Sequence, residues 1–171
     1  DIASFTGEFD TTAEESVPEG IEFNGDGTKM FIAGTQNNAI QEYELTTPYD
    51  VSSGVIFSGN SFNVSVEVSG TGLEFNGDGT KMFAAGGGGT VASYSLSTGF
   101  DLSSTVSSTG NTADLSTEVS GLKGIEFNGD GTKLFAASGS GGTIYEYTLG
   151  TAYDLTTLTY SGNSFDVTTQ A

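Results

Sequence analysis

Apolar and polar positions alternate along most of the chain, and the alternation restarts at a fixed interval. Ile21-Glu22-Phe23 alternates, Asn24-Gly25-Asp26-Gly27 supplies turn residues, and Lys29 to Ala33 follows as a short apolar run. A small-residue loop at Gly34 to Asn38 leads into Ile40-Gln41-Glu42-Tyr43-Glu44-Leu45, which alternates again. After a turn near Pro48, Val55 to Val64 reads as a fourth strand, broken at Gly59-Asn60 in the manner of a bulge. No stretch shows helical spacing. One unit is therefore four strands, a to d, with b apolar enough to be covered on both faces.

The unit recurs three times. Phe-Asn-Gly-Asp-Gly-Thr-Lys stands at Phe23 to Lys29, Phe75 to Lys81 and Phe127 to Lys133, each copy 52 residues after the last. Tyr43, Tyr94 and Tyr147 repeat with it, as do the aromatic-Asp pairs Tyr49-Asp50, Phe100-Asp101 and Tyr153-Asp154. The copies run approximately over 17–68, 69–120 and 121–171. Asp1-Ile2 matches Asp50-Val51, and Phe9-Asp10 matches Phe62-Asn63 and Phe165-Asp166, so residues 1–12 read as an isolated fourth strand ahead of the first copy.

Four-stranded units of this length are the signature of propeller blades. The unit resembles the Phe-x-Pro-Asp-Gly-Thr-Lys blades of YVTN and lactonase-like β-propellers, and more closely the repeat propellers of bacterial and phage surface proteins. Gly25, Gly77 and Gly129 stand where those blades usually carry Pro. The expected fold is all-β: three four-stranded antiparallel propeller-type blades plus an N-terminal orphan strand. The alternative is a β-trefoil, which also has three repeats of four strands. Three blades are too few to close with ordinary blade geometry, so the reading is that the chain is an excerpt of a longer propeller or is completed by other copies. The unpaired backbone of residues 1–12, with Ile2, Phe5 and Phe9, is then expected to add to another copy's sheet edge.

Composition narrows the chemistry. The 171 residues carry 22 Asp plus Glu against 4 Lys, a formal charge of −18, with no His, Cys, Trp or Arg. Nucleic acid and anionic membranes are poor partners for such a field, and no apolar run is long enough to insert in a membrane. Ser-His-Asp and Cys-His catalysis and thiolate or imidazole metal sites are ruled out by residue type. Paired carboxylates for glycoside hydrolysis are available, but no pair is singled out. Oxygen ligation leaves calcium, for which Asp26, Asp78 and Asp130 of the repeated turns are candidates; an EF-hand loop from Asn24 would need Glu where Thr35 stands. No other cofactor is expected.

With a four-residue Asn-Gly-Asp-Gly loop, Glu22 should face Lys29, giving each blade one cross-strand ion pair; the alternative is a ring of Glu22, Glu74 and Glu126 lining a central channel and holding a cation. The aromatic-Asp pairs are expected to cap turns, and the three tyrosines to be core. Binding positions should be those that break the repeat. Gln36, Asn37 and Asn38 in the b to c loop and the unmatched Lys123, ascribed to a d to a loop, are the candidates.

The functional expectation is a non-catalytic structural and interaction repeat protein that self-assembles, as ring or filament, through blade edges and strand addition. The alternative is a lectin-like or cation-dependent adhesion module using the variable loop face, with a protein or glycan partner. Acidity, Gly/Ser/Thr richness and the resemblance point to the extracellular space, a cell surface or a virion surface. The start at Asp1 reads as a trimmed chain.

Overall fold

The computed structural model describes residues 7–65, 68 and 70–168. Twelve strands form three separate antiparallel sheets, each a meander in chain order. The first blade is β1 (Pro18–Phe23), β2 (Lys29–Gly34), β3 (Ala39–Leu45) and β4 (Val55–Asn63). The second is β5 (Gly70–Phe75), β6 (Lys81–Gly86), β7 (Thr90–Leu96) and β8 (Val106–Asp114). The third is β9 (Leu122–Phe127), β10 (Lys133–Ser138), β11 (Thr143–Leu149) and β12 (Leu158–Asp166), with a 3-10 turn at Leu155–Thr157 ahead of its last strand. Strand a is innermost in each blade: β1 packs beside β5, and β5 beside β9. Three independent sheets are blades, not the shared barrel of a trefoil. The expected bulge is present in all three copies, with Gly59, Gly110 and Gly162 at positive φ and a register shift in each c–d ladder.

The core lies between blades. Phe31, Ala33, Ile40 and Val64 of the first blade are buried against Leu73, Met82, Ala84, Tyr94 and Leu102 of the second. Phe83, Ala85, Val91 and Leu115 of the second are buried in the same way against Ile125, Leu134, Ala136, Tyr147 and Leu155 of the third. Strand b therefore alternates between two apolar neighbours, which is why it reads as a continuous apolar run. Tyr43, Tyr94 and Tyr147 are buried as expected.

The aromatic-Asp turns join sheets. Tyr49, Phe100 and Tyr153 take left-handed φ of 58°, 54° and 57°, an unusual conformation for an aromatic residue. It lays each ring over the glycine of its own blade's hairpin, where a Cβ on Gly27, Gly79 or Gly131 would collide with it. The following Asp fixes the turn: Asp50, Asp101 and Asp154 accept from the backbone N–H groups of Ser52, Ser103 and Thr156 at 2.8–3.0 Å. Phe100 then sits 5.1 Å from Phe75 and 6.3 Å from Phe31 of the preceding blade, and Tyr153 lies 5.2 Å from Phe127 and 6.2 Å from Phe83.

Residues 1–6 lie outside the described residues, and so do the expected contacts of Ile2 and Phe5. Residues 7–12 form no strand; Phe9 packs edge-on against Tyr43 of the first blade at 5.4 Å. Phe62 meets Tyr94 in the same way at 5.2 Å. The segment thus occupies the place that the end of a preceding blade takes elsewhere in the molecule.

Candidate functional site

The hairpin residues serve the hairpin. Asp26 Oδ1 accepts from the N–H and hydroxyl of Thr28 at 3.0 and 2.6 Å, and Asn24 Oδ1 accepts from the Lys29 N–H at 2.9 Å. Asp78 and Asp130 repeat the arrangement with Thr80 and Thr132. The hydroxyl and backbone donors hold all three carboxyls below the usual carboxylate range. Among the described residues no group of three or more acidic side chains is placed to hold a metal ion.

Asn24 also closes the loop through its backbone N–H to Lys29, and this shifts the register expected from a four-residue loop. Phe23 pairs with Met30 and Glu22 with Phe31. Lys29 consequently pairs with Glu42 of strand c at 3.0 Å, not with Glu22, and Lys133 with Glu146 at 3.0 Å. The second blade has Ser93 in that column and shows no such pair. Lys29 and Lys81 do something the sequence did not suggest: they bridge blades. Lys29 Nζ donates to the Phe100 carbonyl at 2.9 Å, and Lys81 Nζ to the Tyr153 carbonyl at 3.3 Å. Buried Glu42 adds a second link, accepting from the Leu102 N–H at 2.7 Å.

Glu22, Glu74 and Glu126 do converge, as the alternative reading had it. With Glu19 and Lys123 they line one cavity at the meeting of the three inner strands. Burial first, then the charges of Glu126 and Glu22, push the Glu74 carboxyl well above its ordinary range; Glu22 is raised by burial and by Glu126. Lys123, which lines the cavity with the four glutamates, belongs to β9 rather than to a loop.

The loop candidates are engaged with their own chain. Gln36 accepts from the Ser16 N–H at 2.9 Å and contacts the Ser16 hydroxyl, and the Asn37 amide donates to the Glu14 carbonyl at 2.8 Å. Asn38 takes a left-handed φ of 48° and its carbonyl accepts from the Val64 N–H. The organiser of this region is an acid of the d to a loop, where it breaks the repeat. Glu15 is fully buried and accepts from the N–H groups of Val17 at 2.8 Å, Gln36 at 3.2 Å and Asn37 at 3.4 Å. Its place in the turn, four residues after Thr11, is that of Val68 after Val64 and Val119 after Leu115. A carboxylate replaces valine there, and Gly34 beneath it leaves the room that a Cβ would remove. Column-by-column comparison of the d to a turns carries this signal.

Among the described residues two faces have no neighbouring blade. On the third blade Phe135 and Ile144 are half-buried and Phe165 is 61% exposed, while Phe31, Phe83, Ile40 and Val91 in the same columns are fully buried. On the first blade Ile21 is 55% exposed against 5% for Leu73 and 8% for Ile125. Beside it Phe9, Met30, Ile32 and Val51 line an open apolar groove.

No protein-family model matches the chain, and no curated protein matches it in sequence. Solved structures do resemble it. A functionally unknown protein from Desulfotomaculum acetoxidans DSM 771 superposes with a TM-score of 0.60 at 17% identity, over 88% of this chain and 43% of that one. A candidate 6-phosphogluconolactonase from Bacteroides uniformis ATCC 8492 gives 0.59 at 18% identity, over 92% and 45%. The Cps50 (Swd1) β-propeller domain of Myceliophteria thermophila gives 0.54 at 12%, over 87% and 43%. The chain spans less than half the length of these relatives. At such identities the likeness establishes fold alone: three consecutive four-stranded blades of a β-propeller.

Proposed function

We propose that the chain is a non-catalytic structural and interaction module of the extracellular or surface space that associates with further copies through its open blade faces. One observation carries the reading. The two terminal faces expose Ile21 and half expose Phe135 and Ile144 in columns that the interior of the molecule buries, and they leave Phe165 61% exposed where Phe62 is partly buried. An apolar column buried wherever a neighbour exists is one built to have a neighbour. Association that closes gives a ring, and association that does not gives a filament. The extracellular setting rests on acidity, Gly/Ser/Thr richness and the resemblance to surface repeat propellers.

Lactonase activity is the competing expectation from the Bacteroides uniformis relative. A phosphorylated sugar lactone asks for cationic groups, and this chain has no Arg and 4 Lys. Lys29, Lys81 and Lys133 are held by blade contacts. The adhesin alternative loses support because Gln36 and Asn37 are spent on the Glu15 turn. Sedimentation across a concentration series, with electron microscopy of the same material, tests the proposal. Rings or fibres are expected. A single species of 17.5 kDa at every concentration, or turnover of 6-phosphogluconolactone, would overturn it.

A further inference from the structure

We propose that the open face of the third blade receives the first blade of a second copy, head to tail, with Lys133 and Glu146 bonding the Tyr49 carbonyl and Val51 amide of that copy. The inference rests on the self-association reading and specifies its interface.

The molecule builds this joint twice. In the first joint Lys29 donates to the Phe100 carbonyl, Glu42 accepts from the Leu102 N–H, and Phe31 lies 4.8 Å from Phe75 and 6.3 Å from Phe100. In the second, Lys81 donates to the Tyr153 carbonyl and Phe83 lies 4.5 Å from Phe127 and 6.2 Å from Tyr153. The third blade carries the giving half again. Lys133 is set 3.0 Å from Glu146, the column of Glu42, with Phe135 in the column of Phe31 and Phe83. The first blade carries the receiving half. Tyr49 has the same left-handed backbone as Phe100 and Tyr153, so its carbonyl is presented alike, and it is 57% exposed. Val51 stands in the column of Leu102, and Ile21 in that of Leu73. Since one chain holds both complementary halves, a second copy is the occupant, and the contact is heterologous.

Something already lies on the receiving face. Phe9 covers Tyr43 as Phe62 covers Tyr94, and Phe165 of an incoming third blade would take that place. Docking therefore displaces residues around Phe9. Displacement stops short of Glu15, whose three backbone partners anchor the turn.

Complementation of single-face variants tests the joint. Ile144→Asp disables the giving face and Ile21→Asp the receiving face; both side chains sit on open faces, and thermal unfolding checks that each variant folds, with Ile144→Ser and Ile21→Ser as milder substitutes. Each variant alone is expected at the monomer mass where the parent chain is larger, and an equimolar mixture is expected to recover species of two copies and no more. Phe9→Ala, which weakens the competitor, is expected to tighten association. If the variants associate as the parent does, or if Phe9→Ala weakens association, the joint lies elsewhere and self-association stands. If the parent chain is monomeric throughout, the joint and the reading beneath it both fall, and the faces belong to blades of another sequence.

Discussion

Phe83 and Phe135 are the same residue of the same motif, yet one is fully buried and the other only half. Both stand at the centre of strand b, opposite strand c, with identical hairpins before them. What differs is whether a further blade follows. The energetic weight of a position in this molecule is thus set by the neighbour rather than by the sheet that holds it, as expected of an array whose units contact only adjacent units. The ion pairs make the same point. Lys29 and Glu42 are 25% and 1% exposed and are continued into the next blade; Lys133 and Glu146 are 44% and 19% exposed and, among the described residues, continue into none.

The sharpest way to break this comparison is to truncate both aromatics. Phe83→Ala empties a site closed on all sides and should cost about 3–5 kcal/mol. Phe135→Ala leaves a site already partly open and should cost about 1 kcal/mol or less in the dissociated chain, because little burial is lost. Chemical denaturation of the two variants, at a concentration where the chain is monomeric, measures the gap. Equal losses would mean that the sheet and not the joint sets the cost. The carboxylates give a smaller contrast. Glu42→Gln weakens a charge-assisted bond to the Leu102 N–H and the pairing with Lys29, for about 1.5–3 kcal/mol. Glu146→Gln loses a solvated pair and should cost far less. If the two carboxylate variants unfold alike, the link between blades contributes nothing.

The contrast between buried and open copies was not legible in the sequence, although the blades were. Strand order, bulge and turn residues repeat because each copy solves the same local problem, and a 52-residue period exposes them. Burial of Phe31 but not Phe135 follows from what lies beyond the sheet, and no residue of the repeat encodes that. The hairpin register was misread for a local reason: the Asn24 backbone and side chain extend the turn to Lys29, which moves every facing pair along strand b by two positions. Glu15 was visible as an acid in a loop. Its role needed the recognition that the turn buries this column, as Val68 and Val119 show. The three inner glutamates were legible as a ring because strand a places them at one height in each blade, although the protonation of Glu22 and Glu74 depends on burial that only the packed sheets reveal.

That ring supplies the last and smallest test, comparing the interior of the molecule with its rim. Glu74 has a carboxyl pK raised in the folded chain, so between the ordinary carboxylate range and the raised value the native state holds more protons than the unfolded one. Stability from this group is therefore complete at low pH and declines as pH rises. The rim behaves oppositely: Asp26, Asp50, Asp78, Asp130 and Asp154 are held low by hydroxyl and backbone donors, and their contribution disappears as pH falls through those lowered values. The parent chain should be most stable in mildly acidic solution. Glu74→Gln keeps the shape and removes the interior charge, so it should leave the acid limb intact and flatten the decline toward alkaline pH, with a gain on the order of 1 kcal/mol above neutrality. Unfolding curves of the two proteins from acid to alkaline pH decide the matter. Parallel curves would mean that Glu19, Glu22, Glu126 and Lys123 around the same cavity hold its charge balance without Glu74. Convergence in acid with divergence in alkali would place the cost of deprotonation on the inner strands, where the three blades meet.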